Sequence, residues 1–190
     1  MTAVQSITIV GGGLAGLSLG IALCNRGVRT HIVEAGEYPR HRVCGEFITG
    51  LDEAIIDKLD IGPAFDGTGC HHSVTLFLHG SAIAKQSLPS PARAISRYVL
   101  DARLAERFTA AGGQLSTHTR ITSPIFEPGW VQTNGRKRIE GSPWMGLKAH
   151  VRNLATSDEL ELHLGDEAYF GLSSVEDGWI NVCGLVRRRP

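Results

Sequence analysis

Residues 7–34 decide the fold of this chain: they read ITIVGGGLAGLSLGIALCNRGVRTHIVE. A short apolar run from Ile7 to Val10 precedes a glycine-rich turn, and a long apolar segment begins at Leu14. A second apolar run ends at Glu34. Strand, tight turn, helix and strand in this order are typical of the first β-α-β unit of a parallel sheet. The stretch therefore predicts an α/β protein with a Rossmann-like first unit.

Three glycines of the turn, Gly11, Gly13 and Gly16, stand in the spacing G-x-G-x-x-G. In this motif the first glycine allows the tight turn, the second lets a pyrophosphate approach the backbone, and the third lets helix and strand pack closely. The amide end of the helix favours an anion, so Leu14 and Ala15 join the predicted phosphate site. We predict that the turn binds the ADP moiety of FAD or NAD, which the motif alone does not distinguish. A glycine-rich turn in an unrelated α/β domain is the alternative.

Glu34 ends the second strand, eighteen residues after Gly16. A carboxylate here can accept hydrogen bonds from ribose hydroxyls, and its charge repels the extra phosphate of NADP. We therefore predict that Glu34 and the adjacent Ala35 contact the bound dinucleotide.

The composition narrows the classes of protein to consider. The chain has 190 residues, enough for one large or two small domains. It has 19 basic and 19 acidic residues, so its charge favours neither nucleic acid nor an anionic membrane. The N-terminus lacks the basic region of a signal peptide, and the four cysteines contain no C-x-x-C pair. We predict a cytoplasmic protein with no membrane span, no nucleic-acid partner and no metal site.

The segment after the second strand carries the features of a family. Proline, glycine and mixed charge predict a loop over residues 35–50, and residues 38–47 read YPRHRVCGEF. This segment resembles the P-x-x-x-x-C-G-E segment of FAD-dependent oxidoreductases of the geranylgeranyl-reductase-like group, within the p-hydroxybenzoate-hydroxylase-fold flavoproteins. The resemblance implies FAD rather than NAD as the cofactor. It places four loop residues toward the flavin side: Arg42, Val43, Cys44 and Gly45.

Three residues have alternative roles. Cys44 is either a flavin contact or a small buried hydrophobic residue. Glu46 is either a solvated loop carboxylate, which the residues favour, or a catalytic acid. The same resemblance, an arginine ahead of a leucine-aspartate pair, places Arg97 at the FAD pyrophosphate or flavin edge. Alternatively, Arg97 is a surface residue that pairs with Asp101.

Hydrophobic spacing predicts two further helices. Residues 51–61 carry apolar residues on one face and charged residues on the other, and Gly62 ends this helix. The second helix starts near Arg97 and aligns three apolar residues on one face: Leu100, Leu104 and Phe108. A short strand is predicted after it, over residues 114–117.

Alternation predicts strands in the remaining chain. Residues 73–88 form a predicted hairpin, and four strand-like runs cover residues 144–151, 160–164, 168–172 and 179–186. His150 and His163 are candidates for a general base in this sheet, or they merely pack. The pair Asn134-Gly135 resembles an Asp-Gly pair of the family, or it is a hairpin turn.

These patterns predict two interleaved domains. Residues 1–70 and 90–140 would form a discontinuous FAD-binding Rossmann-like domain. Residues 71–89 and 141–190 would form an antiparallel β-sheet on the substrate side. The resemblance implies that relatives continue beyond Val186 with a Gly-Asp segment that binds FAD, so we expect a C-terminally truncated chain.

The predicted function is that of an FAD-dependent oxidoreductase, of the flavoprotein reductase or monooxygenase type, acting on a hydrophobic small molecule. By analogy with the family, NAD(P)H or a ferredoxin-like donor would supply electrons. A truncated and catalytically inactive FAD- or ADP-binding module is the first alternative. An NAD-dependent dehydrogenase of the ordinary Rossmann type is the second, and the β-rich second half argues against it.

Overall fold

The computed structural model describes residues 6–136, 141–157 and 159–188. The chain forms two compact units whose segments alternate along the sequence. The first unit comprises Met1–Arg40, Asp52–Asp66 and Tyr98–Lys137, and the second comprises His41–Leu51, Gly67–Arg97 and Arg138–Pro190.

A four-stranded parallel sheet organises the first unit. Its strands are β1 (Ser6–Val10), β2 (Arg29–Val33), β6 (Gln114–Ser116) and β7 (Trp130–Gln132). Their order across the sheet is β6-β2-β1-β7. The helices are α1 (Leu14–Cys24), α2 (Glu53–Leu59) and α3 (Arg97–Ala110). Strands β1 and β2 pair in parallel on either side of α1 in the chain. The predicted β-α-β unit is therefore confirmed.

The core of this unit depends on one small residue in α1. A Cβ at Gly20 would lie 2.8 Å from Phe108 Cε2 and 2.9 Å from Ile32 Cδ1, so only glycine lets these side chains come so close. Phe108 is fully buried, and Leu100 and Leu104 on the same face of α3 are each 1% exposed. Each such burial contributes about 2 kcal/mol. The apolar face predicted for α3 is confirmed.

Helix α2 ends earlier than its sequence predicts. It begins after Asp52, whose Oδ1 accepts a hydrogen bond of 2.8 Å from the Ile55 N–H. It ends at Asp60, which adopts a left-handed conformation with φ 53°. Aspartate tolerates this conformation better than most residues, so the helix stops before the predicted glycine. Residues Gly62–Phe65 form a separate 3-10 turn.

A seven-stranded sheet organises the second unit, in the order β3-β5-β4-β9-β10-β11-β8. Its strands are β3 (Phe47–Ile48), β4 (Gly69–Leu78), β5 (Ser81–Ala94), β8 (Trp144–Val151), β9 (Leu160–Gly165), β10 (Ala168–Ser174) and β11 (Ile180–Arg187). All neighbouring strands are antiparallel except β4 and β9. The expectation of a mostly antiparallel sheet is confirmed.

Strand β5 is longer than predicted, because it continues past Leu88 to Ala94. It contains Pro89 and Pro91, which cannot donate a ladder hydrogen bond. The pairing with β4 is irregular at this point, between the pairs Ser73↔Ser87 and His71↔Ala92. The irregularity accommodates both prolines inside one strand.

Two other predictions differ from the structure. The predicted loop 35–50 contains the short strand β3. The pair Asn134-Gly135 follows β7, which pairs in parallel with β1. The next described strand, β8, pairs with β11 instead of β7, so Asn134-Gly135 is not the turn of a hairpin between β7 and β8.

Among the described residues, no helix has the length and the apolar character that a membrane span requires.

Candidate functional site

The three motif glycines have different surroundings. Gly11 has φ +107°, and a Cβ there would lie 2.6 Å from the Thr133 carbonyl oxygen. A Cβ at Gly16 would lie 2.0 Å from the Gly11 carbonyl oxygen. At Gly13 a Cβ would meet no atom within 4 Å, and φ is −87°. Gly11 and Gly16 are therefore required by the turn itself, whereas Gly13 leaves an open space.

This open space lies at the amide end of α1. Gly13 is the N-cap of the helix, and no side chain caps it. The first intrahelical bond runs from the Leu17 N–H to the Gly13 carbonyl. The N–H groups of Leu14 and Ala15 belong to the first turn, where an α-helix offers no backbone acceptor. An uncapped helix end beside an open glycine fits a pyrophosphate.

Glu34 lies at the end of β2 and is 5% exposed. Its Oε2 accepts a hydrogen bond of 2.7 Å from the Gly12 N–H. Its Oε1 accepts bonds of 2.9 Å from the Gly36 N–H and 2.5 Å from Arg40. A carboxylate has about four acceptor positions, so these bonds leave room for one more donor such as a ribose hydroxyl. Ala35, the next residue, is half-buried.

Burial alone would raise the pKa of the Glu34 carboxyl, but the hydrogen bonds from Gly36, Arg40 and Gly12 together outweigh it. The pKa is therefore lower than its ordinary value of 4.5. A lowered pKa in the folded state means that the ionised carboxylate stabilises the fold above the unfolded pKa. This contribution is lost as the pH falls through the folded pKa.

Glu34→Gln should therefore lower the free energy of unfolding by about 2 kcal/mol at neutral pH, because the bonds to a charged acceptor are lost. The difference from wild type should shrink as the pH falls below 4.5 and through the lower pKa of Glu34 in the folded protein, because wild-type Glu34 then becomes neutral as well. Urea unfolding at neutral pH and at a pH below the folded pKa of Glu34 measures the two differences in the free energy of unfolding. Glu37→Gln is the control, because the Glu37 side chain is 67% exposed. An equal loss for Glu34→Gln at both pH values would contradict the expectation.

The loop residues predicted to face the flavin lie in the second unit. Val43 is 62% exposed, and Arg42, Cys44 and Gly45 are half-buried. Asn181 of β11 is fully buried, and its Nδ2 donates to the carbonyls of Cys44 at 3.0 Å and Gly45 at 2.9 Å. One side chain of the sheet thus holds two consecutive peptides of the loop.

Glu46 is not a solvated carboxylate, and that prediction is wrong. The residue is 1% exposed, and its carboxylate forms ion pairs with Lys148 and His150 of β8. Its Oε1 also accepts a bond of 2.7 Å from the Arg97 N–H, at the start of α3. Its backbone is left-handed, with φ 59°, a conformation that non-glycine residues rarely adopt. The carboxylate is buried because β8, more than 100 residues later, supplies both partners.

The structure gathers the predicted cofactor residues into two groups. The group in the first unit is Gly11, Gly13, Leu14, Ala15, Gly16, Glu34 and Ala35. The group in the second unit is Arg42, Val43, Cys44, Gly45 and Arg97.

Sequence reasoning missed several residues that hold these groups in place. Tyr38 donates to the Gly12 carbonyl at 2.5 Å, and Lys148 and Asn181 hold the loop. The one available signal was the spacing of Lys148 and His150, which puts both on the same face of a strand. Among the described residues, no cluster of three or more His, Cys, Asp or Glu could hold a metal ion.

Comparison with solved structures shows the same fold in flavoproteins. A flavoprotein/dehydrogenase from Cytophaga hutchinsonii is 14% identical with a TM-score of 0.77, and the match covers 96% of this chain and 56% of that one. The myxobacterial chondrochloren halogenase CndH is 17% identical with a TM-score of 0.76, covering 97% and 53%. The oxygenase of 2-methyl-3-hydroxypyridine-5-carboxylic acid is 14% identical with a TM-score of 0.74, covering 97% and 59%. The chain spans just over half the length of these proteins.

The search of curated proteins found no match. Residues 4–142, well over half of the chain, match the family described as FAD binding domain. The matched range contains both groups of predicted cofactor residues. The chain therefore belongs to the FAD binding domain family, and its cofactor is FAD.

Proposed function

We propose that the glycine turn of the first unit binds the diphosphate of FAD and that Glu34, with Ala35, contacts its ribose. The observation that carries this proposal is the difference between Gly13 and the two other motif glycines. Of the three motif glycines, only Gly13 leaves open space, and this is the position where a pyrophosphate approaches the backbone in the motif. The uncapped end of α1 lies beside it.

We also propose that the second group contacts the flavin of FAD. Arg42, Val43, Cys44 and Gly45 lie on one loop that β11 holds through Asn181. The family resemblance of this loop supports the assignment. A guanidinium at Arg97 would suit phosphate oxygens.

The proposed activity is that of a flavoprotein oxidoreductase, of the monooxygenase or reductase type. The fold shared with an oxygenase, a halogenase and a dehydrogenase supports this class. When bound, FAD supplies the redox chemistry, and this chain supplies binding and orientation. Three predictions from the sequence remain parts of this proposal. They are the geranylgeranyl-reductase-like subgroup, the predicted domain boundaries, and NAD(P)H or a ferredoxin-like protein as the electron donor.

A hydrophobic small molecule is the proposed substrate. Trp144, Leu164 and Tyr169 share one face of the second sheet by strand register. Each is between 37% and 44% exposed. Lys148 and His150 lie on the same face, so this face carries both apolar side chains and residues that hold the loop.

Cofactor release tests the proposal. Heating the purified protein should liberate one compound with the mass of FAD, and the folded protein should show the visible absorbance of oxidised flavin. Bleaching of this absorbance by NAD(P)H would support an enzyme that accepts electrons from a nicotinamide. Bound flavin that no donor reduces would favour the alternative, a binding module without turnover. A colourless protein with no affinity for added FAD would contradict the proposed binding mode.

A further inference from the structure

Among the described residues, two histidines on strands of the second sheet lie within hydrogen-bond distance of a carboxylate. His150 Nε2 lies 2.5 Å from Glu46 Oε2, and His163 Nε2 lies 2.8 Å from Glu161 Oε2. The first pair is the more buried: the Glu46 side chain is 0% exposed and that of His150 is 14% exposed. The corresponding values for Glu161 and His163 are 8% and 36%. The two pairs share their chemistry but differ in their surroundings.

Strand register puts the two histidines on opposite faces of the sheet. His150 pairs with Asn181, and Asn181 pairs with Ser173 of β10. His163 of β9 pairs with Phe170 of β10. Phe170 is an odd number of residues from Ser173 on the same strand, so the side chains of Phe170 and Ser173 point to opposite faces. Successive residues of a strand point to opposite faces, so only His150 shares the face of the Asn181 side chain that holds the loop.

The chemistry of the pair defines the tautomer of His150. An ionised carboxylate can only accept hydrogen bonds. The nitrogen next to Glu46 must therefore carry a hydrogen, and in the neutral imidazole Nδ1 is then the nitrogen that accepts a proton. A buried carboxylate that orients an imidazole in this way fixes both its ring position and its tautomer.

We propose that Glu46 is a positioning residue of the loop that carries Cys44 and Gly45: its carboxylate anchors this loop to β8 and fixes His150 with Nδ1 as the proton acceptor. This inference rests on the proposed function, because it takes the Cys44–Gly45 segment as part of the FAD site. The left-handed backbone of Glu46 supports it, since such conformations persist where the surrounding contacts hold them.

Charged and titratable groups surround the pair of His150 and Glu46. Lys148 forms an ion pair with the same carboxylate, and the ring of His41 lies edge-on to His150 at 5.1 Å. Burial lowers the pKa of His41, and the charges of Lys148 and His150 lower it further. From β11, the Cys183 thiol interacts electrostatically with Lys148 and Glu46, and burial raises its pKa.

Two more groups complete the surroundings of His150. The ring of Trp179 lies 6.3 Å from that of His150, and the guanidinium carbon of Arg152 lies 4.1 Å from the ring centroid of Trp179. The bond between His150 and Glu46 is charge-assisted, and it anchors the loop to β8. Its loss should loosen the loop and lower the affinity for FAD.

The first test needs no cofactor. Nitrogen-15 NMR of the imidazole rings in the full chain should show neutral His150 with its hydrogen on Nε2. Glu46→Gln should change the tautomer populations of His150, whereas the control Glu161→Gln should leave them unchanged. A wild-type His150 with its hydrogen on Nδ1 would overturn the inference.

The second test measures FAD affinity by flavin fluorescence. We expect His150→Gln to bind FAD about tenfold more weakly than wild type, since one charge-assisted bond is lost. His150→Gln leaves the Glu46–Lys148 ion pair in place, so it should fold even if Glu46→Gln does not. The matched control, His163→Gln, should keep the wild-type affinity.

The two proposals fail in distinguishable ways. If wild type binds FAD and His150→Gln keeps the same affinity, the positioning role is overturned and the proposed cofactor site stands. If wild type binds no FAD at any pH, both the cofactor site and the role of Glu46 in it are overturned.

Discussion

Gly13→Val should abolish FAD binding and leave the fold intact. The Cβ of a residue at this position meets no protein atom within 4 Å, and the backbone, at φ −87° and ψ −171°, suits a β-branched residue. The side chain would instead occupy the space where the diphosphate approaches the amide end of α1. Loss of one or two hydrogen bonds to a charged group predicts an affinity at least about a hundredfold weaker.

Titration of FAD fluorescence measures the affinity, and thermal unfolding followed by circular dichroism measures the fold. Gly69→Val is the matched control, because a Cβ at Gly69 also meets no atom within 4 Å but lies in the second unit on β4. This control should bind FAD as wild type does. Unchanged affinity in Gly13→Val would rule out the proposed binding mode.

Gly16→Ala should unfold or strongly destabilise the first unit. The added Cβ would lie 2.0 Å from the Gly11 carbonyl oxygen and 2.7 Å from Thr133 Oγ1. Neither atom is free to move, because Thr133 Oγ1 donates to that carbonyl at 2.6 Å and the Gly11 N–H is bonded to the Val33 carbonyl. Overpacking against fixed backbone predicts a loss of about 3 kcal/mol in the free energy of unfolding.

Urea unfolding of the protein without cofactor measures this loss, so that cofactor binding does not contribute. Gly13→Ala is the control: alanine caps a helix less well than glycine but restricts the unfolded chain more, so the same substitution three residues earlier should change the stability by less than about 1 kcal/mol. If Gly16→Ala changed the free energy of unfolding by no more than this margin, the close contact between the turn and α1 would be able to relax, and the expectation would be wrong. The two substitutions together separate the glycine that the cofactor needs from the glycine that the fold needs.

Much of the first unit could be predicted from local patterns. Apolar runs, glycine spacing and the apolar face of α3 gave the β-α-β unit and the core residues Leu100, Leu104 and Phe108 correctly. Element ends were less predictable, because they depend on single backbone conformations. Asp60 ends α2 in a left-handed conformation, and β5 continues through two prolines because its pairing with β4 is irregular there.

The segment of residues 35–50 shows where sequence reasoning reached its limit. Residue types predicted a loop, and the family resemblance marked its residues, but Glu46 was expected in solvent. Its partners Lys148 and His150 become neighbours only when β8 takes its place in the second sheet. No pattern within the loop could indicate this burial.

The sequence by itself determined the strand, turn and helix of the dinucleotide motif and the alternation of the later strands, because these depend on residues close together in the chain. Only the tertiary structure decided that Gly13 is open while Gly11 and Gly16 are closed, since atoms of Thr133 line the turn at the two closed positions. It also decided that the Glu46 carboxylate is buried between cationic partners. Both outcomes depend on which distant segments the sheet registers bring together, and this information is not contained in local spacing.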